Sequence, residues 1–68
     1  KKGVPDILIF EPNLNYNGLM VELKVKYNKP SKHQEEWLEN LNARDYKAVV
    51  CYSLEEFIEI FEKYCKTI

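Results

Sequence analysis

The stretch "GLMVELKVKY", Gly18 to Tyr27, decides how this chain of 68 residues folds. Read with a period of two, Leu19, Val21, Leu23 and Val25 fall on one side, and Met20, Glu22, Lys24 and Lys26 on the other. The pattern describes a half-buried β-strand with one ionic face. On an isolated strand such a face is solvated surface, and its Glu and Lys neutralise each other to little effect. A larger role for Glu22 and Lys24 depends on what the flanking segments bring beside them.

Upstream, "DILIFE" starts at Asp6 after Pro5 and is apolar on both faces from Ile7 to Phe10, which predicts a strand covered on both sides. The Asn-rich segment Glu11 to Gly18 reads as the turn between the two strands. An antiparallel hairpin centred near Leu14 sets Asp6 opposite Glu22, provided that no bulge shifts the register. Downstream, Ser31 with Gln34 three residues later is an S-x-x-Q capping box opening a helix. Trp37, Leu38 and Leu41 form its apolar stripe, and Gln34, one turn earlier, falls on the same stripe and faces the sheet.

Tyr46 to Tyr52 is a third strand, parallel to the second because a helix separates them. Ser53 with Glu56 reads as a second capping box. The helix it opens has a predicted buried stripe of Leu54, Phe57, Ile58, Phe61, Tyr64, Cys65 and Ile68, with Ile60 left off it as a contact for another subunit. The expected architecture is α/β, ββαβα, with strand order 1-2-3 in a small mixed sheet flanked by helices.

With 46% hydrophobic residues the chain has material for one domain, 1–68, and a thin core. A net charge of −1 excludes a strongly basic DNA-coating protein. Cys51 and Cys65 lie in no CxxC or zinc-type spacing and read as reduced thiols. No stretch has the length of a membrane span and no leader pattern opens the chain, so the expectation is a cytoplasmic protein. The abrupt start, with "KKGVPD" running straight into a strand, reads as that of an N-terminally trimmed domain.

Two carboxylates facing each other do not stay ionised cheaply unless a cation lies between them. Asp6, Glu22 and the Leu23 carbonyl are an oxygen set suited to Mg²⁺ or Mn²⁺. Lys24, two residues from Glu22 on the same face, can reach a water or phosphate oxygen there, and Gln34 can orient a group from the facing helix. This set of residues suits phosphodiester hydrolysis.

The residues "GVPD", "ELK" as E-x-K, and "SKHQEEWL" as S-x-x-Q followed by an aromatic and a leucine resemble the VRR-NUC domains of the PD-(D/E)xK nuclease superfamily. The resemblance spans Gly3 to about Tyr52 and implies a restriction-endonuclease-like core. It implies Asp6 and Glu22 as metal-binding carboxylates, Lys24 as the catalytic lysine and Gln34 as the glutamine lining the site. It also implies a DNA nuclease acting on branched, junction or flap DNA in replication and repair, as a homodimer or within a larger protein. The pattern departs from the family in lacking the usual N-terminal helix and further strand, and a catalytically silent DNA-binding or assembly module of the same fold is the alternative. Lys26, Lys29 and Lys32 extend Lys24 into a basic stretch suited to phosphates. His33, with no companion ligand, reads as solvated, and Trp37, Phe57 and Phe61 as core.

Overall fold

The computed structural model describes residues 4–25 and 28–68. Its elements follow in the order β1 (Ile7–Ile9), β2 (Leu19–Leu23), α1 (Lys32–Ala43), β3 (Lys47–Cys51) and α2 (Leu54–Cys65). β2 takes the middle of the sheet, antiparallel to β1 and parallel to β3. Ile7 pairs with Val21, Leu8 with Met20 and Ile9 with Leu19, so the hairpin is centred on Leu14 and the register, carried one step outward, sets Asp6 opposite Glu22. Gly18 opens β2 at a close approach: a Cβ there would lie 2.7 Å from the Ile9 carbonyl oxygen and 3.1 Å from the Tyr46 ring. Only glycine fits without backbone movement.

One side of the sheet carries the core. Leu19, Val21 and Cys51 are buried against Tyr64 of α2, with Ile7, Ile9, Tyr16, Val49, Phe57 and Ile60 packed around them. α2 is pinned to the β1–β2 turn, because the Tyr64 hydroxyl donates to the Glu11 carbonyl at 2.7 Å and the Asn13 side-chain amide donates to the Tyr64 carbonyl at 3.0 Å. The other side of the sheet carries α1. Met20 and Ala48 are buried there, and so is Glu22.

α1 is fixed at both ends. Its N-terminus has the full capping box of Ser31 and Gln34. At its C-terminus the Tyr46 N–H donates to the Leu41 carbonyl and the Asp45 N–H to the Asn42 carbonyl, a Schellman arrangement in which Asp45, at φ 65°, takes the left-handed position. Asn42 then acts as an extra strand segment for the edge of β3: its amide accepts from the Ala48 N–H and donates to the Ala48 carbonyl, at 3.0 and 3.2 Å. Neither device is visible as a pattern in the sequence.

Four expectations are corrected. β1 is not covered on both sides, since Leu8 is exposed and Phe10, just beyond the strand, is 71% exposed. β2 ends at Leu23, and Val25, read as a core position of the same strand, is 67% exposed. Around α2 the buried arc is turned by about a quarter of the helix: Phe57, Ile60 and Tyr64 face the core, whereas Leu54, Ile58, Phe61 and Ile68 are exposed. Ile60 is therefore a core residue and not a free contact. The second capping box is also incomplete, because Ser53 caps the Glu56 N–H but the Glu56 carboxylate accepts from the Tyr52 N–H, one residue before the cap. Cys51 and Cys65 are free thiols. Among the described residues no helix is long and apolar enough to cross a membrane.

Candidate active site

On the ionic face of β2, Glu22 lies buried beside the start of α1, while Lys24 next to it stays partly exposed. Glu22 is 3% exposed, and each of its oxygens has a different environment. Oε2 accepts from the Gln34 side-chain amide at 2.7 Å and lies 3.8 Å from the Lys24 ammonium nitrogen. Oε1 is buried with no hydrogen-bond partner. A buried carboxylate oxygen without a donor is expensive, and its presence here points to a missing positive group.

Asp6 stands at the start of β1, after the buried Pro5, and its Oδ2 accepts from the Leu23 N–H at 2.9 Å. That bond spans the strand pair and holds the second carboxylate at the same sheet end as Glu22. Burial pushes the Glu22 carboxyl above its ordinary range and the neighbouring Asp6 carboxylate pushes it further, with Lys24 pulling only partly the other way. The Leu23 carbonyl belongs to the peptide joining Leu23 to Lys24, so the backbone offers an oxygen between the two charged side chains.

Gln34 serves two structures at once through its single amide. Its Oε1 accepts from the Ser31 N–H at 2.8 Å, completing the capping box, while its Nε2 donates to Glu22. The cap therefore fixes which end of the amide faces the carboxylate, and α1 presents its N-terminus to the site. The sequence puts Gln34 both in the capping box and on the stripe facing the sheet. The tertiary structure reconciles the two, because an amide carries an acceptor and a donor on separate atoms.

The remaining candidates separate. Lys32 is the first residue of α1 and Lys29 precedes the helix, and both are exposed. Lys26 lies outside the described residues. A lysine in the first turn opposes the helix dipole, so Lys32 adds positive potential where the helix end is already positive. His33 is exposed and lies 3.9 Å from Glu36, a solvent-facing arrangement as expected.

Among the described residues no three His, Cys, Asp or Glu side chains form a metal-binding group. Two carboxylates, a backbone carbonyl and the oxygens of water or phosphate are nonetheless a fitting set for a hard divalent cation, which takes few protein ligands. The unpartnered Oε1 of Glu22 is the observation that makes the fit specific.

The elevated Glu22 carboxyl gives a pH prediction. Unfolded, the group titrates near its ordinary value of 4.5; folded, it titrates higher, so between those values the folded state holds more protons. The penalty is absent below 4.5 and complete above the folded value. In chelator, the Glu22 contribution makes the midpoint of thermal unfolding fall as pH rises through that window, and Glu22→Gln should remove this slope. A wild-type slope identical to that of the variant would contradict the burial assignment.

The fold, with a strand headed by Pro5 and Asp6 followed by a strand carrying Glu22 and Lys24, has the restriction-endonuclease-like α/β arrangement. The model of the VRR-NUC domain matches residues 1–55, and the chain belongs to that family. A solved structure described as a VRR_NUC domain protein superposes with a TM-score of 0.91 at 31% sequence identity, over 97% of this chain. The chain spans 55% of that protein's length. No curated protein matches the sequence.

Proposed function

We propose that the chain is the core of a divalent-cation-dependent deoxyribonuclease hydrolysing phosphodiester bonds. The observation that carries this reading is the buried carboxylate Glu22, with one oxygen unpartnered, beside Asp6 and within 3.8 Å of the Lys24 ammonium. Asp6, Glu22 and the Leu23 carbonyl would hold Mg²⁺ or Mn²⁺. Such an ion, when bound, lowers the pKa of a coordinated water and polarises the phosphoryl group.

The chain's own residues do the rest. Lys24 offers its ammonium to a phosphate oxygen and offsets the charge that grows on it during hydrolysis. Gln34 keeps the Glu22 carboxylate in one orientation, held in turn by the Ser31 cap. Lys29 and Lys32, with the positive end of α1, draw the nucleic-acid backbone toward this side of the sheet. Membership of the family supports DNA as the substrate, at branched, junction or flap structures in replication and repair. The reading puts the reaction in the cytoplasm of a bacterial or phage-infected cell. The exposed Ile58 and Phe61 of α2 support association with a second copy or with the rest of a larger replication or repair protein.

The test is cleavage of end-labelled four-way junction, flap, duplex and single-stranded DNA in Mg²⁺ and in Mn²⁺, with Lys24→Ala prepared identically. Cutting by the parent chain that disappears in the variant is the expected result, and the preferred substrate assigns the structural specificity. Binding of DNA and Mn²⁺ without cutting would leave a silent module of the same fold.

A further inference from the structure

Beside the site, on the opposite face of the sheet, an apolar groove of about 380 Å³ opens where β2 and β3 end and α2 begins. Its walls are Leu23, Val25, Tyr52, Leu54 and Phe57, and Lys24, whose ammonium lies 3.8 Å from Glu22, also lines it. Four of these apolar side chains are exposed, with Leu54 at 68% and Val25 at 67%. The volume lies within the range of small-molecule pockets, roughly 300–1,000 Å³. Folding alone does not account for so much apolar surface at the rim of a charged centre.

We propose that this groove is a subsite for one unpaired nucleobase, that of the nucleotide beside the scissile phosphate. The inference rests on the nuclease reading and specifies its substrate. Lys24 belongs to both places: its ammonium approaches Glu22 at 3.8 Å while the residue also lines the groove, so a phosphate held at Lys24 carries its own base to the groove mouth. Among the lining residues Lys24 is the only charged one, so the groove presents an apolar lining with two aromatic side chains, Tyr52 and Phe57, to a π-face. The first two turns of α2, which border the groove, carry the exposed Glu55 and Glu59 and no basic residue, and they repel a phosphate backbone; Lys63 and Lys66 lie at the far end. The backbone is thereby confined to the lysine side and the base is turned inward. A protein segment seated in the groove would instead cover Lys24 and remove it from the phosphate. A base paired in a duplex has no free face for the groove, whereas one at a flap, junction or single strand does.

The probe is a single-stranded oligonucleotide carrying 2-aminopurine next to the mapped cleavage position, compared with the same strand bearing an abasic residue there. Both are titrated in Ca²⁺ to suppress cutting, against the parent chain and Leu54→Asn. Leu54 is the first residue of α2, exposed and outside the carboxylate–lysine cluster, and asparagine there leaves the fold intact, which circular dichroism verifies. Binding should change the 2-aminopurine fluorescence, the abasic strand should bind about tenfold more weakly than the intact one, and Leu54→Asn should erase that difference. Equal binding of intact and abasic strands by the parent chain would overturn the proposal. So would a Leu54→Asn variant that retains the difference, or one whose only change in sedimentation is loss of a dimer. Mn²⁺ binding measured on the same samples separates failures: bound metal with no base effect sinks the groove alone, and absent metal binding sinks the nuclease reading as well.

Discussion

Glu22→Gln is expected to abolish Mn²⁺ binding measured by calorimetry and to lower DNA cleavage by about a thousandfold, while making the metal-free fold more stable. The two effects have one origin. Glu22 is buried beside Asp6, so its ionised form is disfavoured without a cation, and the same geometry is what a cation would bind. Glutamine removes the like-charge repulsion and still accepts from Gln34 through its carbonyl oxygen. A gain of about 1 kcal/mol would raise the unfolding midpoint by roughly 4–8 °C in a domain of this size. The thousandfold activity loss corresponds to about 4 kcal/mol of transition-state stabilisation, within what a lost metal removes. A variant that loses stability and keeps Mn²⁺ affinity would show that Glu22 is structural and binds nothing.

Gln34→Ala carries the second large effect, in the opposite direction. It removes the reciprocal half of the capping box, the bond from the Ser31 N–H, together with the hydrogen bond to buried Glu22, and leaves the Ser31 hydroxyl capping the backbone N–H of residue 34. The lost capping-box bond costs about 0.5–1.5 kcal/mol and a lost hydrogen bond to a buried charge about 1.5–3 kcal/mol, so the sum is roughly 2–4.5 kcal/mol. Domains of this length have about 3–10 kcal/mol in total. Urea unfolding should therefore shift to much lower midpoint. In the Glu22→Gln background the penalty should shrink toward the cap contribution alone, since no buried charge is then left unpaired. Equal penalties in both backgrounds would mean that Gln34 and Glu22 are not coupled.

Much of the site was legible because local rules reach it. The S-x-x-Q spacing places Gln34 on the inward stripe of α1, and the hairpin centre at Leu14 brings Asp6 to Glu22, as the strand register bears out. The α2 surface was not legible in the same way. Its apolar residues cover nearly half the helix circumference, and sequence periodicity does not say which part of so wide an arc the sheet occupies. The arc from Phe57 through Tyr64 to Ile60 meets the sheet, and the arc from Leu54 through Phe61 stays open.

The sequence by itself determined the order ββαβα, the pairing of the three strands, both helix starts and the family, because these follow from periodicity, capping and turn chemistry over short separations. Only the tertiary structure decided that Glu22, on the ionic face of β2, is buried. Alternation reports which residues share a face, and the long-range packing of α1 reports whether that face is wet. Once α1 covers it, Glu22 changes from a solvated partner of Lys24 into a buried carboxylate with one unpartnered oxygen.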